Sequence, residues 1–330
     1  MSKPRIGVVI HTDLLSTIFT RRDVTRLKRL GDVRWTSKAQ PLTAAEAVEV
    51  LRGCTVGVGS WGTPRADADV LAACPELKLW VHAAGSVKGH FGPHLAGRDL
   101  AIVSCKYAIG VNVADAAVAE LVIGLRKILQ NAADNRGGKA KGPPGRKFIA
   151  TSTVGVLGAS DVGRRTMKLL RALGCGELLL FDPYVDAAEA RRLGAVKVDD
   201  VTELCRRSDA ITLHTPALPA TRHIIGREQL AAMRDDTVIV NTARGTCIDE
   251  QALVEELGKG RLLAFLDVTD PEPAADDSPL RRLPNVVLTS HIAGGPAPNI
   301  GTQVVDDIRR WLAGKRPVGL VTADMLERLA

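Results

Sequence analysis

Three residues, Arg244, Glu272 and His291, each lie a few positions beyond a short apolar run. Their segments are Asn241-Thr-Ala-Arg244-Gly245, Leu266-Asp267-Val-Thr-Asp-Pro-Glu272-Pro273 and Leu288-Thr-Ser-His291-Ile-Ala-Gly294. A guanidinium fork holds a carboxylate through two parallel hydrogen bonds and polarises a neighbouring keto oxygen, which suits Arg244 to a 2-oxo acid. An imidazole with its ordinary pKa near 6.5 gives or takes a proton around neutral pH, and a carboxylate beside it favours the charged ring. His291 paired with Glu272 is therefore a candidate general acid for an oxygen whose carbon is being reduced. Singly, each has a plainer use: a surface ion pair for Arg244, a structural role for His291, a solvated charge in a Pro-rich loop for Glu272. Together they form a set, because an open parallel sheet gathers its ligand at the carboxyl ends of its strands.

A second constellation concerns a nucleotide. Thr153-Val-Gly-Val-Leu-Gly158-Ala159-Ser160-Asp161-Val162-Gly163 reads as strand, tight turn and helix, close to the G-x-G-x-x-G fingerprint with Ser160 at the middle glycine. Free N–H groups and the positive end of a helix dipole would face a pyrophosphate there. Ser160 either donates its hydroxyl to a phosphate or holds the ligand further out. Asp161 either caps the helix or weakens binding by its charge. Nineteen residues after Gly163, Asp182 ends the run Leu178-Leu-Leu-Phe-Asp182. A carboxylate at that spacing accepts both ribose hydroxyls and repels a 2′-phosphate, so NAD is expected rather than NADP. The same residues would also serve a plain strand-to-helix turn, with Asp182 capping Pro183.

Seven segments in order carry a resemblance to the D-isomer-specific 2-hydroxyacid dehydrogenase family over essentially the whole chain. They are Gly158-Ala-Ser-Asp-Val-Gly163, Leu213-His-Thr-Pro216, Thr221-Arg-His-Ile-Ile225, Asn241-Thr-Ala-Arg-Gly245, Asp267 with Glu272, Leu283-Pro-Asn-Val-Val-Leu288 and His291-Ile-Ala-Gly294. The resemblance implies hydride transfer between NAD(H) and a 2-oxo acid/D-2-hydroxy acid pair, with Arg244, Glu272 and His291 as the catalytic triad. It assigns Asp267 to the nicotinamide carboxamide, Asp182 to the adenosine ribose, and Thr215 and Pro216 to the adenine. Further cofactor contacts fall on His214, Thr221, Thr242, Ala243, His291 and Gly294. Trp61-Gly-Thr-Pro64 and His82-Ala-Ala84-Gly85-Ser86-Val-Lys88 are similar to substrate-side loops, and the N–H groups of Ala84, Gly85 and Ser86 would bind the substrate carboxylate, beside Arg244 and His291. Val87 stands where many members have an acid, and Lys88, His90 and His94 follow, which suggests a substrate with a second anionic group. Because the same fold also serves corepressors, a non-catalytic NAD-sensing interaction protein is the alternative.

These side chains need a scaffold, and the chain supplies an α/β one. Apolar runs at Arg5–Ile10, Thr55–Gly59, Leu77–His82, Leu100–Ser104, Thr153–Leu157, Leu178–Phe181, Ala210–His214, Val238–Asn241, Leu262–Leu266 and Val286–Thr289 alternate with helix-length segments. Such β-α-β alternation predicts parallel sheets covered by helices. One helical pattern follows the first strand through Leu27 and Leu30 to Gly31. Two long ones, about Val113–Gln130 and Asn299–Leu312, are read as crossing between domains. The expected organisation is two Rossmann-like/flavodoxin-like lobes, the cofactor domain inserted in the substrate domain. Residues 1–110 with 298–330 form the discontinuous substrate-binding domain, and 111–297 the NAD-binding domain. The resemblance places the substrate between the lobes and implies a homodimer formed through the second domain and the Val113–Gln130 helix.

Composition narrows the class. The 330 residues are 45% hydrophobic and 25% charged, which excludes a disordered chain and a small disulfide scaffold. No run approaches about 18 consecutive apolar residues, and the first ten residues carry no signal-peptide pattern, so a cytoplasmic protein without a membrane partner is expected. Six scattered cysteines, with neither C-x-x-C nor zinc spacing, are read as reduced and mostly buried, and no metal is expected. The net charge is +7, but 3% aromatics and the lack of a motif argue against nucleic acid. Between Arg126 and Lys147 seven basic residues (Arg126, Lys127, Arg136, Lys139, Lys141, Arg146, Lys147) face one acid, Asp134. The segment Asn131–Lys147 is accordingly read as a solvated basic loop that holds most of the excess.

Overall fold

A computed structural model describes residues 3–91, 98–139, 142–322 and 325. His94 and Lys141, and the side chain of Lys88, lie outside the described residues. The chain forms two compact units, one of residues 1–109 with 295–330 and one of residues 110–294. Both are α/β, each built on one sheet.

In the first unit the strands are β1 (Arg5–Val8), β2 (Asp32–Trp35), β3 (Val56–Gly59), β4 (Leu79–His82) and β5 (Ala101–Ser104). In the second they are β6 (Thr153–Leu157), β7 (Glu177–Phe181), β8 (Val196–Lys197), β9 (Ala210–Leu213), β10 (Thr237–Asn241), β11 (Leu262–Leu266) and β12 (Val286–Leu288), and β13 (Leu320–Val321) completes the first. The orders are β13-β5-β4-β3-β1-β2 and β12-β11-β10-β9-β6-β7-β8. All pairings are parallel except β13 on β5. The first sheet thus has flavodoxin-like order with one added edge strand. The second has the doubly wound order of a Rossmann sheet, with its switch point between β6 and β9.

Both sheets are covered on both faces, so alternate residues of one strand enter different cores. Val238 and Val240 of β10 pack with Val154, Val156 and Phe265, whereas Ile239 joins Leu157, Ile211 and Leu266 on the other side. The helix Lys106–Leu125 has a mean hydropathy of 1.7 and is long and apolar enough to cross a membrane by composition alone. In this fold it feeds the second unit's core through Ala117, Val118, Leu121 and Leu125.

Several sequence expectations are corrected. The first helical pattern divides into Thr12–Ile18 and Arg21–Leu30, because Thr20 starts a new helix with a capping box to Asp23. The helix expected at Val113–Gln130 is Lys106–Leu125; Lys127 then adopts a left-handed backbone (φ +49°) and a second helix, Ile128–Arg136, begins. About a third of the expected basic loop, Asn131–Arg136, is therefore helical. The helix Pro298–Leu312 lies wholly in the first unit, and the chain changes unit between Gly294 and Gly295. The basic residues around the connector are largely paired or covered. Lys127 meets Asp236 at 2.5 Å, Lys147 meets Asp209 at 2.8 Å, Lys139 meets Asp134 at 3.1 Å, and Arg126 lies over the Phe148 ring. Counted by unit, residues 110–294 hold 24 basic and 24 acidic side chains, while the remainder holds 20 and 13. The connector's excess of six is offset within its own unit, so the net +7 falls to the first unit.

Candidate active site

The turn after β6 is shaped by two glycines. Gly158 has φ +92°, and a Cβ there would stand 3.0 Å from the His214 carbonyl oxygen, across the switch point. A Cβ on Gly163 would stand 2.0 Å from the Gly158 oxygen, so only glycine lets the helix Asp161–Ala172 start this close to the turn. Ser160 is the cap of that helix: its Oγ accepts the Gly163 N–H at 3.3 Å. The hydroxyl is thus committed to the helix, while the N–H groups of Asp161 and Val162, in its first turn, have no carbonyl one turn earlier to bond. Asp161 is not the cap; its Oδ2 takes the Arg165 Nε–H at 2.8 Å, which offsets the negative charge at the mouth of the turn.

Asp182 accepts the Ala159 N–H on Oδ2 at 2.7 Å and the Tyr184 N–H on Oδ1 at 2.8 Å. The carboxylate is therefore held against the glycine turn, with lone pairs left for two further donors. His214 is buried and hydrogen-bonded to Thr212 Oγ1, and burial lowers its pKa to about 3, so it is neutral. Its contribution to the turn is the backbone at the switch point. Thr215 donates to Cys247 Sγ, and Thr221 donates to the Pro216 carbonyl at 2.5 Å, which fixes the loop after β9. Thr242, at the end of β10, has a buried hydroxyl with no partner, while the neighbouring Ala243 N–H is bonded to Asn241. An orphaned hydroxyl, a glycine cradle and two free helix N–H groups at one sheet edge fit a dinucleotide.

The triad candidates lie on consecutive strands. Arg244 follows β10, Glu272 follows β11 and His291 follows β12. The backbone links these strand ends: Asp267 N–H donates to the Asn241 carbonyl at 3.0 Å, and His291 N–H donates to the Asp267 carbonyl at 2.8 Å. His291 Nδ1 and Glu272 Oε1 are 2.5 Å apart in a cleft of about 930 Å³ that Asp267, Thr269 and Ser290 also line. Arg244 Nη1 donates to the carbonyl of Ala243 at 2.6 Å. Gly245 allows a close approach, since a Cβ there would stand 2.0 Å from the carbonyl of Thr269, in the loop that leads to Glu272.

His291 has φ +55°, a left-handed conformation that is uncommon for a side-chain-bearing residue. Asp267 holds it there. Its carboxylate, 2% exposed, accepts the Thr289 hydroxyl at 2.6 Å, the Ile292 N–H at 2.8 Å and the Ala293 N–H at 2.9 Å, bracketing the histidine. Gly294 closes the segment, its carbonyl taking the Asn112 side chain at 3.0 Å.

The sequence reading missed Glu120. It is the one carboxylate in the apolar stretch between Asp115 and Arg126, and it lies four residues before Gly124, on the same helix face. A Cβ on Gly124 would stand 2.6 Å from Val238 and 2.9 Å from Phe265, so that face meets β10 and β11. One Glu120 oxygen is buried without a partner, and burial together with the nearby Asp267 charge raises its pKa to about 7. An acid at a sheet-facing position of an apolar helix was the available signal.

In the first unit, the Ala84 and Gly85 carbonyls are turned inward by the Cys105 N–H and the Ser104 hydroxyl, while Ser86 is exposed. His90, expected beside a second substrate anion, instead lies in the core, its ring 5.0 Å from His82 and 5.2 Å from Trp80. Burial lowers its pKa to about 4, so it offers no positive charge.

Residues 118–293 match the family "D-isomer specific 2-hydroxyacid dehydrogenase, NAD binding domain". The chain belongs to this family. It is 37% identical over 303 residues to a D-3-phosphoglycerate dehydrogenase of Methanocaldococcus jannaschii, covering 88% of this chain and 56% of that one. It is 32% identical over 305 residues to a glycerate dehydrogenase of Methylorubrum extorquens, covering 85% of this chain and 90% of that one. A solved 2-hydroxyacid dehydrogenase from Ketogulonicigenium vulgare superimposes with a TM-score of 0.76 at 25% identity, over 98% of this chain and 99% of that one. The chain spans about half the length of the phosphoglycerate dehydrogenases it matches first, 56% and 48%. NAD(H) is the cofactor of the matched domain.

Proposed function

We propose that this protein interconverts a 2-oxo acid and a D-2-hydroxy acid with NAD(H). The observation that carries this reading is the 2.5 Å contact between His291 and Glu272, set on adjoining strand ends with Arg244 one strand further on. In this reading the helix start at Asp161 and Val162 and the glycine turn hold the pyrophosphate. Asp182 holds the adenosine ribose, the loop of His214, Thr215, Pro216 and Thr221 borders the adenine, and Thr242, Ala243 and Gly294 border the nicotinamide half. When bound, NAD(H) supplies or takes up the hydride.

The protein's own groups do the rest. Glu272, accepting from Nδ1, fixes the ring so that Nε2 presents its proton to the substrate's 2-oxygen, or removes it in the reverse direction. Arg244 takes the carboxylate and polarises the keto oxygen. The bracket from Asp267 keeps His291 in its left-handed conformation, so the ring is placed before substrate arrives. NAD is assigned over NADP because the Asp182 carboxylate, fixed by two N–H groups, would meet a 2′-phosphate as a like charge.

NADH oxidation with glyoxylate, pyruvate, hydroxypyruvate, phenylpyruvate and dianionic 2-oxo acids tests the reading. Turnover of at least one acid, with a loss of about 10²-fold or more in His291→Ala, is expected. NAD(H) binding without turnover of any acid would replace it with the NAD-sensing alternative. A homodimer is proposed on the half-exposed apolar residues Val111, Ile128 and Leu129 along the helices after Ala101–Ser104. Sedimentation of a single monomeric species at micromolar concentration would refute it. A cytoplasmic setting is proposed on six cysteines that are all free, five of them buried.

A further inference from the structure

Glu120 has no part in the mechanism above, yet it is a partly buried carboxyl on the helix face that meets β10 and β11, the strands before Arg244 and Glu272. One of its oxygens has no hydrogen-bond partner. The charged group that acts on it is Asp267, whose own carboxylate already takes three donors, two on Oδ1 and one on Oδ2. Among the described residues, the groups that shift Glu120 include no cation. β6, β10 and β11, which meet this helix, contain no charged residue. The Asp161–Arg165 pair lies by Gly110, ten residues or about 15 Å along the helix, and Lys127, seven residues on in the other direction, is already paired with Asp236. His291 is joined to Asp267 through its backbone and gives its Nδ1 to Glu272. Two like charges in a poorly solvated place do not both ionise readily, and of the two carboxyls Asp267 is the one supplied with donors.

We propose that Glu120 is a proton store for the nicotinamide end of the site, discharged when the oxidised cofactor binds and kept when the reduced one binds. The inference rests on the proposed function and on the family resemblance that assigns Asp267 to the nicotinamide carboxamide. The oxidised ring carries a positive charge that the reduced ring lacks. With that charge nearby, the Glu120 O–H bond breaks heterolytically, the proton goes to solvent, and the carboxylate remains as counter-charge; no electron moves in this step. With the neutral ring the proton stays. Glu120 is a positioning residue for charge, acting through the field it shares with Asp267.

Burial and Asp267 set its pKa at about 7, so at pH 7 about half of the molecules have a proton to release. Below pH 7 the affinity for NAD⁺ should rise up to about tenfold per pH unit and then level off, while that for NADH stays flat. The experiment is isothermal titration of the intact protein with NAD⁺ and with NADH at pH 7 in buffers of different ionisation enthalpy, which counts protons directly. Wild type should release about half a proton with NAD⁺ and close to none with NADH. Glu120→Gln should bind both with no release, and His291→Ala should keep the release. Asp267→Asn, which removes the lesser of the two causes and leaves the burial in place, should release less than wild type without losing the release altogether. Undiminished release from Glu120→Gln, equal release with both cofactors, or loss of release in His291→Ala would each overturn the proposal. Binding of neither cofactor by wild type would instead refute the cofactor reading, and the proposal with it.

Discussion

Replacing His90 by Phe should make the first unit markedly more resistant to mild acid. His90 is 9% exposed, one of its ring nitrogens has no partner, and its neighbours are the rings of Trp80, His82 and Phe91. Burial holds its pKa at about 4 in the folded protein, against about 6.5 in the unfolded chain. The folded state therefore excludes a proton that the unfolded state accepts. The associated stability is intact above pH 6.5 and is lost as the pH falls from 6.5 towards 4. At pH 5 the unfolded imidazole is protonated about 30 to 1 and the folded one only about 1 in 10, which amounts to about 2 kcal/mol from this residue; at pH 7 the same comparison gives about 0.2 kcal/mol. Phe fills the same aromatic slot and binds no proton. Tryptophan fluorescence during urea unfolding at pH 7 and pH 5 is the assay, since all four tryptophans (Trp35, Trp61, Trp80, Trp311) belong to the first unit. The drop in unfolding free energy between the two pH values should be smaller by about 2 kcal/mol in His90→Phe than in wild type. An equal drop in both proteins would refute the reasoning.

Other expectations concern the second unit. Gly245→Ala places a Cβ against the Thr269 carbonyl, so the loops of Arg244 and Glu272 must part; turnover should fall about 10²-fold, with a stability loss of about 1–3 kcal/mol in thermal unfolding. Unchanged kcat/KM would show that the two loops are not coupled. Asp182→Ala removes both the ribose acceptor and the partner of the Ala159 N–H, and should weaken NADH binding while narrowing the preference over NADPH, measured as a ratio of Kd values. Arg165→Ala uncovers the Asp161 charge; because the pair is over a third exposed, NAD⁺ affinity should fall by no more than about fivefold, with the difference shrinking at high salt. A gain in affinity would contradict the arrangement.

Much of the scaffold was legible because parallel strands buried on both faces write themselves as unbroken apolar runs. Thr153–Leu157 and Leu262–Leu266 were read at their observed limits. Strands that bury little were invisible. Asp32–Trp35 is half exposed and polar at alternate positions, and Val196–Lys197 and Leu320–Val321 are two residues long. The helix Ile128–Arg136 escaped because it has no fully buried residue and runs into a Gly-rich segment, so no periodic stripe marks it. In the site, Arg244, Glu272 and His291 were found by residue type and by position after a strand. What spacing could not reveal was direction and occupancy. Ser160 and Asp161 look like phosphate ligand and intruding charge, yet one hydroxyl is spent on a helix cap and one carboxylate on Arg165. His90 looks like a cation for substrate and is instead a core ring. Glu120 belongs to no motif, and its character comes from a burial that only packing creates.

The division of charge between the two units gives them different long-range behaviour. A half-molecule with balanced charge exerts little force beyond close contact, so a nucleotide finds it by diffusion and local fit. The other half, with seven uncompensated positive charges, draws small anions from about a Debye length away. Added salt should therefore slow the capture of an anionic acid more than that of the nucleotide, and ionic strength becomes a dial that separates the two encounters.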